Sequence, residues 1–191
     1  MKKDDIIKIF ESTEALLSGH FVLTSGRHSA SYFQCAKVLQ YPKYLTLFAL
    51  EIVAYYEMEN VDVVLSPAVG GIVLGTEVGR QLGARTIFTE RKDGKMVLRR
   101  GFHIEKNERI LVVEDVVTTG GSVKEAIKAA ENEGGIVVGA GILVDRSNGK
   151  SKIHSNQYAI TTLESESYSS DNIPDELAII PIQKPGSRHI V

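Results

Sequence analysis

The residues best suited to chemistry lie in one run, Ile110-Leu-Val-Val-Glu-Asp-Val-Val-Thr-Thr-Gly-Gly-Ser122. Four apolar residues lead into two adjacent carboxylates, Glu114 and Asp115. Val116 and Val117 separate that pair from Thr118, Thr119, Gly120, Gly121 and Ser122. An ionised carboxylate only accepts hydrogen bonds, which suits the 2- and 3-hydroxyls of a ribose. A phosphate needs O–H and N–H donors at close range, and glycines let the backbone approach it without a Cβ in the way. The run therefore reads as a sugar-phosphate site. The plainer alternative is a strand, a turn and a helix capped by a Ser122–Glu125 box. It leaves two carboxylates at a buried strand end with no use, which is costly.

Such a site needs elements to position it. Ile110–Glu114 is expected to be a buried parallel strand, because it is a short continuous apolar run. Its carboxyl end is where open α/β sheets bind ligands. The helix expected over Ser122–Glu133 would present free N–H groups at its start, a ready anion site. Successive strand side chains point to opposite faces, so one carboxylate is expected to face the sugar and the other to fix the loop or a hydrated Mg²⁺.

The rest of the chain supplies the frame. A helix is expected over residues 3–18, with Ile6, Ile7, Phe10, Leu16 and Leu17 near one stripe. Short strands follow around Phe21–Leu23 and Ser31–Phe33 in an otherwise irregular 19–41. Pro42 opens a helix that runs to about Met58. Further strands are expected at Val61–Ser66, Ala84–Thr89, Ile136–Val144 and Tyr158–Thr162. Gly71–Leu82 is expected to be a helix with Gly83 past its end. Residues 90–109 read as a long mobile loop with some hairpin character, a length that is usually functional. Strands alternating with helices imply an α/β fold, doubly wound around a mostly parallel five-stranded sheet. The whole 1–191 is expected to form one domain, with a core of about 41–163 and a small hood from about 1–40 and 164–191. The last stretch, to Arg188, is expected to return and cover the site with the N-terminal segment.

Composition bounds the remaining classes. At 191 residues and 43% hydrophobic content the chain can bury a sizeable core. The net charge of −2 gives no basic field for nucleic acid. No apolar run reaches the ~18 residues of a membrane span. The charged start, Met1-Lys-Lys-Asp-Asp, does not look like a signal peptide. The single Cys35 excludes an internal disulfide and fits a reducing cytoplasm. The histidines at 20, 28, 103, 154 and 189 show no metal-ligand spacing. Gly149-Lys-Ser151 lacks the upstream glycine of a P-loop, because position 144 is Val.

The 110–122 run resembles the phosphoribosyl pyrophosphate (PRPP) motif of the type I phosphoribosyltransferases. The resemblance implies that Arg91, Glu114, Asp115, Val116, Val117, Thr118, Thr119, Gly120, Gly121 and Ser122 bind PRPP. It implies that Ala68, Val69, Gly70 and Gly71, in Ser66-Pro-Ala-Val-Gly-Gly71, hold the pyrophosphate leaving group. The basic run from Thr89 to Gly101 matches the family's closing loop. Arg91, Lys92 and Lys95 are its candidates for assisting pyrophosphate departure, and Lys92, Lys95 and Asp115 are the expected catalytic residues. In the family this loop reaches the neighbouring subunit's site, so the resemblance implies a homodimer with 90–101 in the partner's site. The implied cofactor is Mg²⁺, held mainly through PRPP and water and not by a protein cage.

Two segments point to the orotate branch of that family. Gly19-His-Phe-Val-Leu-Thr-Ser-Gly-Arg-His-Ser-Ala-Ser-Tyr-Phe33 resembles its N-terminal signature, in which paired aromatics, here Tyr32 and Phe33, stack near the pyrimidine. Val144-Asp-Arg146 resembles the strand end whose arginine selects orotate, and Thr118 matches the threonine that contacts it. Orotate differs from uracil by a carboxylate, which an Arg fork recognises well. Two departures stand out: Thr24 lies where many relatives carry lysine, and the basic loop has no histidine, His103 lying beyond it. The pattern is nearer the shorter bacterial and archaeal form. The rival readings are a purine or uracil phosphoribosyltransferase, and a PRPP-sensing regulator that binds nucleic acid. The 19–33 and 144–146 segments oppose the first. The absence of a helix-turn-helix pattern and of a basic face opposes the second.

Overall fold

The structure, a computed structural model, describes residues 1–23, 26–163 and 166–183. Thr24 and Ser25 of the signature, the stretch to Arg188 and His189 lie outside the described residues. In chain order the elements are α1 (Lys3–Ser12), β1 (Leu16–Val22), β2 (His28–Phe33), α2 (Cys35–Leu39), α3 (Pro42–Tyr56), a 3₁₀ turn (Glu57–Glu59), β3 (Val63–Pro67), α4 (Gly70–Leu82), β4 (Arg85–Lys92), β5 (Lys95–Leu98), β6 (Arg109–Val117), α5 (Gly121–Asn132), β7 (Ile136–Asp145), β8 (Gln157–Thr162), α6 (Asp175–Ala178) and β9 (Ile182–Gln183). They fall into two compact units, one of Met1 with Leu39–Leu163 and one of Lys2–Val38 with Glu164–Val191.

The larger unit is built on a six-stranded sheet in the order β5-β4-β3-β6-β7-β8. The β4-β3, β3-β6, β6-β7 and β7-β8 pairs are parallel. The parallel five are those expected from the apolar runs, and the sixth strand corrects the expected count. β5 pairs antiparallel with β4. It comes from the basic segment, which therefore continues the sheet as a hairpin and is not a free loop. Asp93 and Gly94 turn that hairpin with φ of 50° and 80°, both left-handed, which matches the twist of two-residue hairpins. The charged composition hid this strand, since Lys92 and Lys95 face each other across a solvated tip.

Alternation along β6 places Ile110 and Val112 in a cluster with Val123, Ala126, Ile127 and Ala130 of α5. Val64, Leu111 and Val113 are equally buried on the opposite face. Helices thus cover both faces, as a mostly parallel sheet requires. Tyr56 at the end of α3 is fully buried, and its hydroxyl donates to Ala140 O at 2.9 Å and Asn156 O at 3.1 Å.

In the smaller unit β1 pairs antiparallel with β2 and parallel with β9. The expected 3–18 helix is too long. Thr13 and Ser12 hydroxyls donate back to Ile9 O at 2.8 and 3.0 Å, and Glu14 is left-handed, so Leu16 and Leu17 begin a strand. His20 Nδ1 lies 3.0 Å from Ile180 O, and its Nε2 lies 2.6 Å from His28 Nδ1. A carbonyl only accepts, so Nδ1 of His20 carries the proton.

Candidate active site

β6 pairs with β3 only as far as Leu65↔Val112. β3 runs on to Pro67 paired with β4 alone, so Glu114 and Asp115 lie past the end of the β3–β6 ladder. Both turn toward the start of α4. A Cβ on Gly70 would lie 2.6 Å from both Asp115 carboxylate oxygens, and one on Gly71 would lie 2.8 Å from Glu114 Oε1 and from Val113 O. At Gly71 a backbone carbonyl crowds the position and only glycine fits, whereas at Gly70 the crowding atoms are the movable end of the Asp115 side chain. Strand β6 also runs on to Val117, three residues past the expected end.

The two acids share one environment unequally. Glu114 is 7% exposed, and burial first, then the adjacent Asp115 charge, pushes its carboxyl well above the usual carboxylate range. A helix start favours an anion by at most about 2 kcal/mol. Burial of a carboxylate costs several, so the neutral form wins. Glu114, held toward its neutral form, hydrogen-bonds the Asp115 carboxyl. Asp115 is only half-buried, and its Oδ1 accepts from Val116 N at 2.9 Å.

Both flanking helices begin without a side-chain cap. α4 starts after Val69 and α5 after Gly120, and neither N-cap residue bonds back through its side chain. Their first N–H groups keep their donor capacity for an anion. Ser122 is the second residue of α5, so the Ser122–Glu125 capping box does not form. Glu125 instead accepts from Met96 N at 3.2 Å and pairs with Arg91 at 3.1 Å. Thr118, Thr119 and Gly121 are exposed, Ser122 is partly so, and Gly120 is buried with φ 76°. Ala68 and Val69 form the turn between β3 and α4, which Gly70 opens, with Ala68 N donating to Thr89 O at 2.8 Å and Val69 exposed. Of the expected PRPP residues, Glu114 to Ser122 and Ala68 to Gly71 are thus brought together at the carboxyl ends of the central strands β3 and β6.

The basic arm is placed differently. Its root is fixed: Arg100 donates to both Glu90 carboxylate oxygens at 2.9 and 2.8 Å, and Phe88 meets Phe102 edge-on at 5.0 Å. Its tip carries exposed Lys92 and Lys95. Arg91 also donates to Gly94 O at 2.6 Å, so the Glu125 contact docks the arm along α5. Glu125 was missed as an arm contact, because a pair so far apart in sequence leaves no local pattern.

Arg146 begins the turn after β7 and is partly buried, with its N–H donating to Val117 O at 2.7 Å. Asp145 is buried, and it accepts from Ser147 N at 2.7 Å and Gly149 N at 3.1 Å. Tyr32 and Phe33 belong to the smaller unit. Tyr32 leans on Phe21 at 5.6 Å and its hydroxyl donates to Gln34 Oε1 at 3.2 Å. Phe33 is 7% exposed and packs edge-on against Phe10 at 4.8 Å. Its ring therefore serves the core and offers no open stacking face, which corrects its expected role. Among the described residues no group of three or more His, Cys, Asp or Glu side chains could cage a metal ion, and no helix is long and apolar enough to cross a membrane.

A phosphoribosyl transferase domain model matches residues 46–177. The orotate phosphoribosyltransferase of Chlorobium phaeobacteroides is 53% identical over 188 residues, covering 98% of this chain and 97% of that one. The chain belongs to the orotate phosphoribosyltransferase family. The family's enzyme from Pelotomaculum thermopropionicum is likewise 53% identical, over 190 residues and 100% of both chains. The crystal structure of orotate phosphoribosyltransferase from Aeropyrum pernix superposes with a TM-score of 0.69 at 23% identity, over 83% of this chain and 93% of that one. That likeness speaks to the fold alone. The family fits the site: an acidic pair, two uncapped helix starts and a strand-end arginine lie at the carboxyl ends of the central strands.

Proposed function

We propose that this chain transfers the ribose 5-phosphate group of PRPP to orotate, giving orotidine 5′-monophosphate and pyrophosphate, as a step of UMP biosynthesis in the cytoplasm. The observation that carries the reading is the Glu114–Asp115 pair packed on Gly70 and Gly71 between two uncapped helix starts. A ribose with an anion at each end matches that order of acceptors and donors.

The roles follow from the groups. Thr118 to Ser122 hold the 5′-phosphate through hydroxyls and N–H groups. Asp115, with Glu114 behind it, accepts from the ribose hydroxyls. Ala68 to Gly71 and the start of α4 hold the pyrophosphate. An orotate ring nitrogen attacks the anomeric carbon as the bond to pyrophosphate breaks. Positive charge grows on the sugar and negative charge on the leaving oxygen, so positioning and charge neutralisation dominate. Arg91, Lys92 and Lys95 neutralise the leaving group when the arm leaves α5 and closes, and closure excludes water. Arg146 pairs with the orotate carboxylate, and Thr118 contacts the base.

Mg²⁺ prefers one or two carboxylates with several waters and substrate phosphates. The half-buried Asp115 carboxyl fits that preference and would hold the hydrated ion, with PRPP and water supplying the other oxygens. When bound, the ion neutralises pyrophosphate charge.

Arg146 tests the choice of base. A charge-assisted hydrogen bond contributes roughly 1.5–3 kcal/mol, so Arg146→Ala is expected to raise the orotate KM about 10- to 100-fold with little change in the PRPP KM. Steady-state kinetics with each substrate varied in turn would show it, and an unchanged orotate KM sinks the assignment.

A further inference from the structure

The phosphate loop is braced from behind by a segment that its own sequence motif does not include. Ser151 is 8% exposed, and its hydroxyl donates to Thr119 O at 2.9 Å. A Cβ on Gly120 would lie 2.6 Å from Ser151 Oγ and 2.8 Å from Ile153 Cγ1, so the loop and the segment are in direct contact. Ser151 is in turn fixed on both sides. Its N–H donates to Ser147 Oγ at 2.9 Å, and its carbonyl accepts from Gln157 Nε2 at 3.1 Å. The other end of the Gln157 amide accepts from Ile153 N at 2.8 Å. Gln157 begins β8, and Asp145, which gathers Ser147 N and Gly149 N, ends β7. The brace is therefore rooted in two sheet strands.

What the bond does follows from peptide geometry. The Thr119–Gly120 peptide is trans and planar, so its C=O and N–H point in opposite directions. Gly120 is left-handed at φ 76°; a flip of the preceding peptide would take that φ to a negative value, and glycine adopts both signs about equally. Backbone preference alone does not choose between them. The Ser151 hydroxyl does: it draws the carbonyl toward the brace and aims the Gly120 N–H away from it. In the flipped orientation a carbonyl dipole replaces that donor and repels an anion.

We propose that Ser151, held by Gln157, is a positioning residue for PRPP: it sets the Thr119–Gly120 peptide so that a donor, and not an acceptor, faces the 5′-phosphate. This rests on the reading of Thr118 to Ser122 as the phosphate site. Ser151 touches no reacting atom, so its removal weakens PRPP binding and spares the chemical step.

The test is steady-state kinetics on the parent, Ser151→Ala, Gln157→Ala and the double variant, with thermal midpoints alongside. Loss of one buried hydrogen bond predicts a PRPP KM raised about five- to tenfold in Ser151→Ala, with kcat and the orotate KM within about twofold of the parent. Gln157→Ala shifts the PRPP KM the same way but less. The double variant shows less than the product of the two effects, because both act through one brace. An unchanged PRPP KM in Ser151→Ala overturns the proposal. So does a parallel decline of kcat, both KM values and the thermal midpoint, which is the mark of a merely structural residue. If the parent does not turn over orotate, the proposed function fails and the brace is read separately, by calorimetric titration of parent and Ser151→Ala with inorganic phosphate. Equal affinities then overturn it, and a fivefold or greater loss supports it.

Discussion

Glu114 and Asp115 show how adjacent acids take different roles at one place. The types were plain in the sequence and prompted the ribose reading. The division of labour was not, because it depends on where β3 stops pairing and how deeply Glu114 is buried. A carboxyl held above its usual range binds more protons in the folded than in the unfolded state. The stability it contributes is therefore full below the ordinary carboxylate range and is lost as pH rises toward its raised folded value. For one proton the slope reaches about 1.4 kcal/mol per pH unit. Glu114→Gln keeps a neutral donor to Asp115 and removes the titration. Urea denaturation from pH 5 to pH 9 is expected to show a flatter profile for that variant, with its largest advantage over the parent at the alkaline end. An identical slope in both proteins would remove Glu114 as the source.

At the scale of elements, the site is a meeting of a strand that overruns its neighbour and two helices that start bare. The parallel strands and α4 and α5 were legible from apolar runs and glycine stops, within a few residues. The hairpin of the basic segment was only partly legible, because solvated charges mask the strand alternation of β5. The brace at Ser151 was not legible at all: Gly149-Lys-Ser151 reads as a failed P-loop, and Gln157 lies just ahead of the expected Tyr158–Thr162 strand with nothing to mark it. Gly70 carries the element-scale prediction. A Cβ there meets the Asp115 carboxylate at 2.6 Å, and the carboxylate is the part that can move. Displacement of a reacting group by about 1 Å can cost about 100-fold. Gly70→Ala is accordingly expected to lower kcat/KM for PRPP by about that factor while the thermal midpoint moves by only a few degrees. A large fall in the midpoint with kcat/KM preserved would contradict the packing argument.

For the molecule as a whole, the arm is the open question with a direct answer. In this structure it lies along α5, held by the Arg91–Glu125 pair, with Lys92 and Lys95 in solvent. The account has it act in the site of a second copy. Lys92→Ala/Lys95→Ala lacks the arm's charges and Asp115→Asn lacks the acceptor, so each is expected to be nearly inactive alone. If the arm works across a dimer, mixing them restores about a quarter of parent activity, because half of randomly mixed dimers are hybrids and each hybrid has one complete site. No recovery after subunit exchange would place the arm over its own site. The central claim is tested most directly by following orotate's ultraviolet absorbance in purified protein with Mg²⁺ and PRPP, with uracil, adenine and hypoxanthine in parallel. The account predicts consumption of orotate alone, abolished in Asp115→Asn. Turnover of another base in place of orotate, or none with any base, would contradict it.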